Sequence, residues 1–309
     1  MAQVMAGRVA QPARLSVRLQ RVLGRDWTVG VPFVIPVVIL CVGLIGYPVV
    51  FALYLSFTTK IAGRPEEWVG LQNYASLWSD SNYRSAVWNT TYYTVISVFL
   101  KFCIGIGLAM LLNMRLPARN FLTGLVLLPW IAPPVVTALV WQWLYEPSFG
   151  AFNYMIVHVF HFAPKGLDFL GDRSFAMPAV IFTVVWRGFP FFAVMLLAGL
   201  KAINQELYEA AAVDGADALG RFRFITLPGL RNVALVVVLL ATIWTFNDFT
   251  IVWNLTQGGP AGATELYSIL TYKIAFKSLM LGKGVAVSAT MMPVLVVIVI
   301  VLVRYMRRR

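Results

Sequence analysis

The chain is short of charge. Only 12% of its 309 residues are Asp, Glu, Lys or Arg, and just 13 are acidic, whereas soluble domains carry about 25% charged residues. That shortage excludes a soluble enzyme and a disordered tail. Cysteine is nearly missing. Cys41 and Cys103 are the only two, each inside an apolar stretch, which excludes a disulfide scaffold and predicts two buried small hydrophobes. His158 and His161 are the only histidines. They lack acidic or thiol neighbours in sequence and read as surface residues rather than metal ligands. The chain contains no G-x-x-x-x-G-K-[ST] loop to cradle nucleotide phosphates. It also lacks any recognisable Ser/His/Asp or Cys/His motif for nucleophilic catalysis.

What is present is hydrocarbon. Hydrophobic residues make up 60% of the chain and aromatics 14%, with 10 Trp and 12 Tyr; the mean hydropathy is +0.77. Such aromatics suit lipid–water boundaries. The net charge of +12 comes from basic residues scattered between apolar runs, not gathered into the single face that a nucleic-acid partner needs. The expected fold class is therefore all-α, a polytopic membrane protein.

A span needs roughly 20 apolar residues. Six stretches qualify: 29–58, 89–112, 121–144, 176–200, 233–252 and 285–303. The first follows a basic segment, 1–28, and is too long for a signal-peptide core of about 7–15 residues, so it is expected to remain as a span. An even number of spans puts both termini on one side. Basic residues divide fifteen to eight between the two sets of connecting segments, with Lys101 and Arg187 inside spans. The richer set comprises both termini, Arg115 and Arg119, and the segment 201–232, and it is expected in the cytoplasm. Pro129, Pro133 and Pro134 are expected to break the third span, and Pro190 the fourth.

Segment 201–232 holds the most informative run. From Glu206 to Val213 the residues are good helix formers, and Gly215 supplies a bend. A second amphipathic piece follows and is expected to end at Pro228. Ala210, Ala211 and Ala212 leave a helix surface with almost no bulk, flanked by the carboxylates of Glu209 and Asp214. A partner can approach such a surface closely. It reads as a short helix that docks into a cytoplasmic groove.

Glu209, Ala210, Ala211, Asp214, Gly215 and Ala216, followed by Ile225, Leu227 and Pro228, resemble the EAA signature of ABC-importer permeases. Further likeness runs through Tyr47-Pro48, Val69–Tyr74, Trp186–Phe191, Phe246–Phe249 and Leu255–Pro260. These stretches are similar to the carbohydrate-uptake subfamily of maltose and glycerol-3-phosphate importers, and to its first-type permease. The resemblance implies the type I importer fold, with six spans and both termini cytoplasmic, in a bacterial inner membrane. It implies that segment 201–232 is a coupling loop gripped by a separate ATPase. The implied partners are a second, different permease, two copies of that ATPase, an extracytoplasmic solute-binding protein and a sugar. This chain would hold no cofactor, ATP and magnesium residing on the ATPase.

Charges inside a span mark a pathway or a partner. Lys101 is expected to snorkel or to pair with a neighbouring chain. Arg187 adjoins Trp186, one turn before Pro190. Trp244, Asn247, Asp248 and Ile251 are spaced to share one helix face, where an indole offers a platform to a sugar ring and amide and carboxylate groups bind its hydroxyls. Trp186, Arg187, Trp244, Asn247 and Asp248 are therefore the candidate pathway residues. An interhelical polar contact that holds the two permeases together is the competing reading of that face. Two other functions stay open, a stand-alone ion-coupled carrier and a membrane-embedded sugar transferase. The sequence does not name the solute, and Arg187 alone gives no reason to choose an anionic one.

Overall fold

The computed structural model describes residues 27–307 except 115. All of the basic segment 1–28 but its last two positions therefore lies outside the described residues, as do Arg115, Arg308 and Arg309 of the orientation count. The chain divides after Tyr54 into two compact units.

The described part of the first unit is a single helix. Helix α1, Pro32–Ser56, has a mean hydropathy of 2.6 over its most apolar window and carries its last two residues into the second unit. It is apolar all round, with Phe33, Leu44 and Val50 exposed. A helix of that kind is a membrane span.

The second unit begins with an outer loop. There the Asn73 side chain donates from Nδ2 to the carbonyls of Ser56 and Thr58, at 2.8 and 2.9 Å. Asn73 lies in the first turn of the short helix α2, Gln72–Ser79. Helix α3, Ser81–Asn113, starts eight residues before the expected span. The Asp80 carboxylate caps it by accepting from Asn82 N–H at 2.9 Å, a cap that hydropathy alone does not register.

The third span is broken, as the prolines require. Helix α4, Arg119–Ile131, and helix α5, Pro134–Tyr145, meet at 91°. Proline disfavours helical geometry in the residue before it, so Pro133 keeps Ala132, and Pro134 keeps Pro133, out of the helix.

Helix α6, Arg173–Lys201, corrects one expectation. It runs unbroken through Pro178 and Pro190. A helix-interior proline costs about 3 kcal/mol, and burial offsets it: Val180, Thr183, Ala193 and Leu196 are wholly enclosed. Helices α3 and α6 approach closely at Gly105, where an added Cβ would overlap the Cβ of Phe192. Around this seam lie two apolar clusters. One holds Tyr93, Val180 and Ile269; the other holds Ala109, Phe192 and Leu196.

Helix α7, Gln205–Val213, leads to helix α8, Ala218–Phe246. Pro228 does not end a helix as expected but lies within α8. The turn just before it is wide, with Leu227 N–H reaching back five residues to the Phe222 carbonyl. Such a turn lets the helix continue past a residue that has no N–H to donate. The fifth span is then interrupted at 247–249 and resumes as α9, Thr250–Thr256. Helix α10, Tyr267–Tyr272, and helix α11, Leu281–Arg307, complete the chain.

Candidate functional site

Two places concentrate the chemistry. The first is the elbow at α7. Asn204 opens the helix by accepting from Glu206 N–H at 3.0 Å. At its far end Ala216 N–H donates to Ala211 O at 2.8 Å and Gly215 N–H to Ala212 O at 3.2 Å. This pair of bonds is the Schellman motif. It needs a left-handed residue, and Gly215 supplies it with φ +80°. Asp217 then caps α8 by accepting from Gly220 N–H at 2.7 Å.

Every backbone signal in the elbow is therefore local and satisfied, yet none of the α7 side chains is buried. Glu209, Ala210 and Asp214 are exposed, and Ala211 and Ala216 are half-buried. Val213 is 88% exposed and Leu219 70%. One side-chain bond ties the helix down, between the hydroxyls of Tyr208 and Thr226 at 2.9 Å. The elbow is rigid in backbone and bare on its surface.

The second place is a cavity of about 160 Å³ at the heart of the spans. Both interrupted spans reach it, through Pro134 at one break and Asp248 at the other. Irregular backbone at membrane depth is tolerated where it lines a cavity or is buried in protein. The three charges that lie inside spans, Lys101, Arg187 and Asp248, all line it.

Each is held by a specific partner. Lys101 is 5% exposed, and its Nζ donates to Thr245 Oγ1 at 3.0 Å. Arg187 Nε donates to the carbonyl of Ala132, in the break of the third span, at 3.2 Å. Asp248 Oδ2 accepts from the Tyr93 hydroxyl at 2.7 Å, and its carbonyl accepts from Ser268 Oγ at 2.6 Å. Aromatic rings complete the lining: Trp130 stacks on Phe191 with centroids 5.9 Å apart, and Phe191 lies 5.2 Å from Trp244.

Of the five candidate pathway residues, the structure brings Arg187, Trp244 and Asp248 to this cavity. Trp186 instead packs edge-on against Trp141 at 5.3 Å, and Asn247 accepts from the Tyr267 hydroxyl. Of the face expected for Trp244, Asn247, Asp248 and Ile251, all but Asn247 reach the cavity together, though not on one continuous helix, because α8 stops at Phe246. Loss of helical phase at the break separates Asn247 from Asp248.

Other expectations change too. Lys101 points inward rather than snorkelling. Cys41 and Cys103 are exposed on the chain's apolar surface, not buried. Asn89, for which no role was expected, holds the loop after α9 by donating from Nδ2 to the carbonyls of Gly262 and Glu265 at 3.0 and 3.2 Å. Among the described residues no cluster of His, Cys, Asp and Glu fits a metal ion.

Comparison with known proteins gives concordant results. A family model described as the binding-protein-dependent transport system inner membrane component matches residues 101–309. The trehalose/maltose transport system permease protein MalF of Thermococcus litoralis is 36% identical over 249 residues, 80% of this chain and 83% of that one. The inner membrane ABC transporter permease protein YcjO of Escherichia coli is 32% identical, across 89% of this chain and 91% of its own. The sulfoquinovosyl glycerol transport system permease protein SmoG of Agrobacterium fabrum is 30% identical, across 92% of each. Among solved structures, a bacterial ABC transporter for the acidic polysaccharide alginate shares the fold. Its TM-score is 0.79 at 22% identity, covering 96% of this chain and 99% of that one.

Proposed function

The chain belongs to the family of binding-protein-dependent transport system inner membrane components, and we propose that it is a sugar-passing permease subunit of an ATP-driven importer. Sugar is the solute class because the relatives that share most of its length include a trehalose/maltose permease and a sulfoquinovosyl glycerol permease.

The observation that carries the coupling half of this reading is the elbow. Helix α7 is capped at both ends, locked by Gly215, and offers an alanine row in which Ala210 and Ala212 are exposed and Ala211 is half-buried. A helix built that firmly and left that bare is a handle. Glu209, Ala210, Ala211, Asp214, Gly215 and Ala216 form the face gripped by an ATPase on a separate polypeptide, this chain having no phosphate-cradling loop of its own. The elbow then lies in the cytoplasm with both termini, in keeping with the basic-residue count. A second, different permease supplies the other half of the pathway. Two ATPase copies carry ATP and magnesium, and an extracytoplasmic binding protein delivers the sugar.

The solute path runs through the charged cavity. Arg187, Trp244 and Asp248 face it, and Trp186 and Asn247 hold the surrounding helices through their contacts with Trp141 and Tyr267. Closure of the ATPase pair pushes on α7, and the continuous α8 transmits that motion from the elbow to the break at Asp248.

The reading is tested by reconstituting the chain with its membrane and ATPase partners in liposomes. Sugar uptake should require both ATP and the binding protein. Uptake driven by a proton or sodium gradient without ATP would replace the importer with an ion-coupled carrier.

A further inference from the structure

We infer that the sugar passed by the cavity is anionic, bearing a carboxylate, sulfonate or phosphate, and that Lys101 is the residue that selects it. This rests on the sugar-path reading above and deepens it.

The cavity is electrostatically unbalanced. It presents two cations, Lys101 and Arg187, against the single carboxylate of Asp248, and that carboxylate already accepts from Tyr93. Ion pairs among the described residues join Lys60 to Glu66, Lys273 to Glu265 and Lys283 to Asp80. None involves Lys101 or Arg187. Asp248 is counter-charge to one of the two, and the cation left over inside the spans is disfavoured. The surplus is met when the occupant brings a negative group.

The lysine is placed for that task. A snorkelling lysine runs its stem toward the headgroups, whereas this one crosses Gly188 and aims at Thr245. A Cβ at position 188 would stand 2.6 Å from Lys101 Cε. The stem thus occupies space that only glycine leaves open. Thr245 accepts one of the ammonium's three donors. Arg187 spends Nε on Ala132, so its two terminal nitrogens remain as a fork suited to a carboxylate, sulfonate or phosphate. Trp130, Phe191 and Trp244 supply ring surfaces for the sugar's apolar face.

The test uses the whole complex in liposomes with its own binding protein. The probes are digalacturonate and glucose 6-phosphate, against the galactose disaccharide galabiose and glucose. At least a tenfold preference for one acidic probe over its neutral counterpart is expected, and which acid is taken separates carboxylate from phosphate. Lys101→Gln should collapse that preference roughly tenfold by lowering acidic uptake alone, and Lys101→Arg should keep it. A purely structural lysine would lower acidic and neutral uptake together, which would overturn the inference. A wild-type preference for the neutral sugar would overturn it as well, even if Lys101→Gln failed to assemble. Uptake of no sugar of either charge would remove the sugar reading itself, and this inference with it.

Discussion

Gly188 lies directly against Lys101: its missing side chain is the space the lysine stem fills, 2.6 Å from a virtual Cβ to Lys101 Cε and 3.2 Å to Nζ. Two helices, α3 and α6, thereby agree on one buried charge. Gly188→Ala should cost about 1–3 kcal/mol, as overpacking does. It should also push the ammonium off Thr245. The thermal midpoint of the purified complex measures the first effect and solute uptake the second.

Tyr93 and Asp248 form the matching pair on the anionic side, at 2.7 Å. Tyr93 is fully buried, and a hydrogen bond to a charged group is worth about 1.5–3 kcal/mol. Tyr93→Phe should lower the thermal midpoint and weaken uptake, because the carboxylate is left free to turn toward Lys101 and Arg187. An unchanged midpoint would mean that the bond does not order the cavity.

The elbow makes a graded prediction. Nothing lies within 4 Å of a Cβ built on Gly215, yet its φ is +80°, so the cost of substitution there is backbone strain alone. Asparagine tolerates the left-handed region better than alanine does. Solute-stimulated ATP hydrolysis should therefore fall in the order glycine, Gly215→Asn, Gly215→Ala, with about 1 kcal/mol of strain at the alanine. Gly215→Pro should abolish it while membrane insertion persists.

Glu209 is exposed on the same helix. Glu209→Lys should leave the fold and its thermal midpoint unchanged and eliminate solute-stimulated ATP hydrolysis. Full stimulation in that variant would contradict a coupling role for this face.

The α3–α6 seam is tighter still. At Gly105 a Cβ would overlap the Cβ of Phe192 on the facing helix and stand 3.1 Å from the Ala193 backbone nitrogen, neither of which a rotamer change can move away. Gly105→Leu should prevent the two helices from closing, seen as loss of the monodisperse species in detergent chromatography.

Much of this was legible in the residues. Span positions follow from hydropathy, because lipid demands apolar length whatever the neighbours are. The elbow was legible for another reason: the alanine row and Gly215 act through local backbone chemistry, which depends on sequence order alone. The break near Pro133 is local in the same sense. Pro190 misled because its cost is set against burial by α3, a long-range fact. Spacing places Trp244, Asp248 and Ile251 on one side, where the cavity lies, but misplaces Asn247, since periodicity assumes that the helix continues past Phe246. Lys101 was visible as a charge in a span. Its inward direction depends on Gly188, 87 positions away in the chain, and no spacing rule connects the two.

The account turns on what grips α7. Val213 is 88% exposed at the end of that helix, so Val213→Cys gives a site for a short bifunctional crosslinker in native membranes. The expected product is a covalent adduct with a separate ATP-hydrolysing polypeptide, lost when Glu209→Lys is combined with it. Labelling of the same cysteine by a membrane-impermeant reagent from the outer face, with no such adduct, would contradict the account.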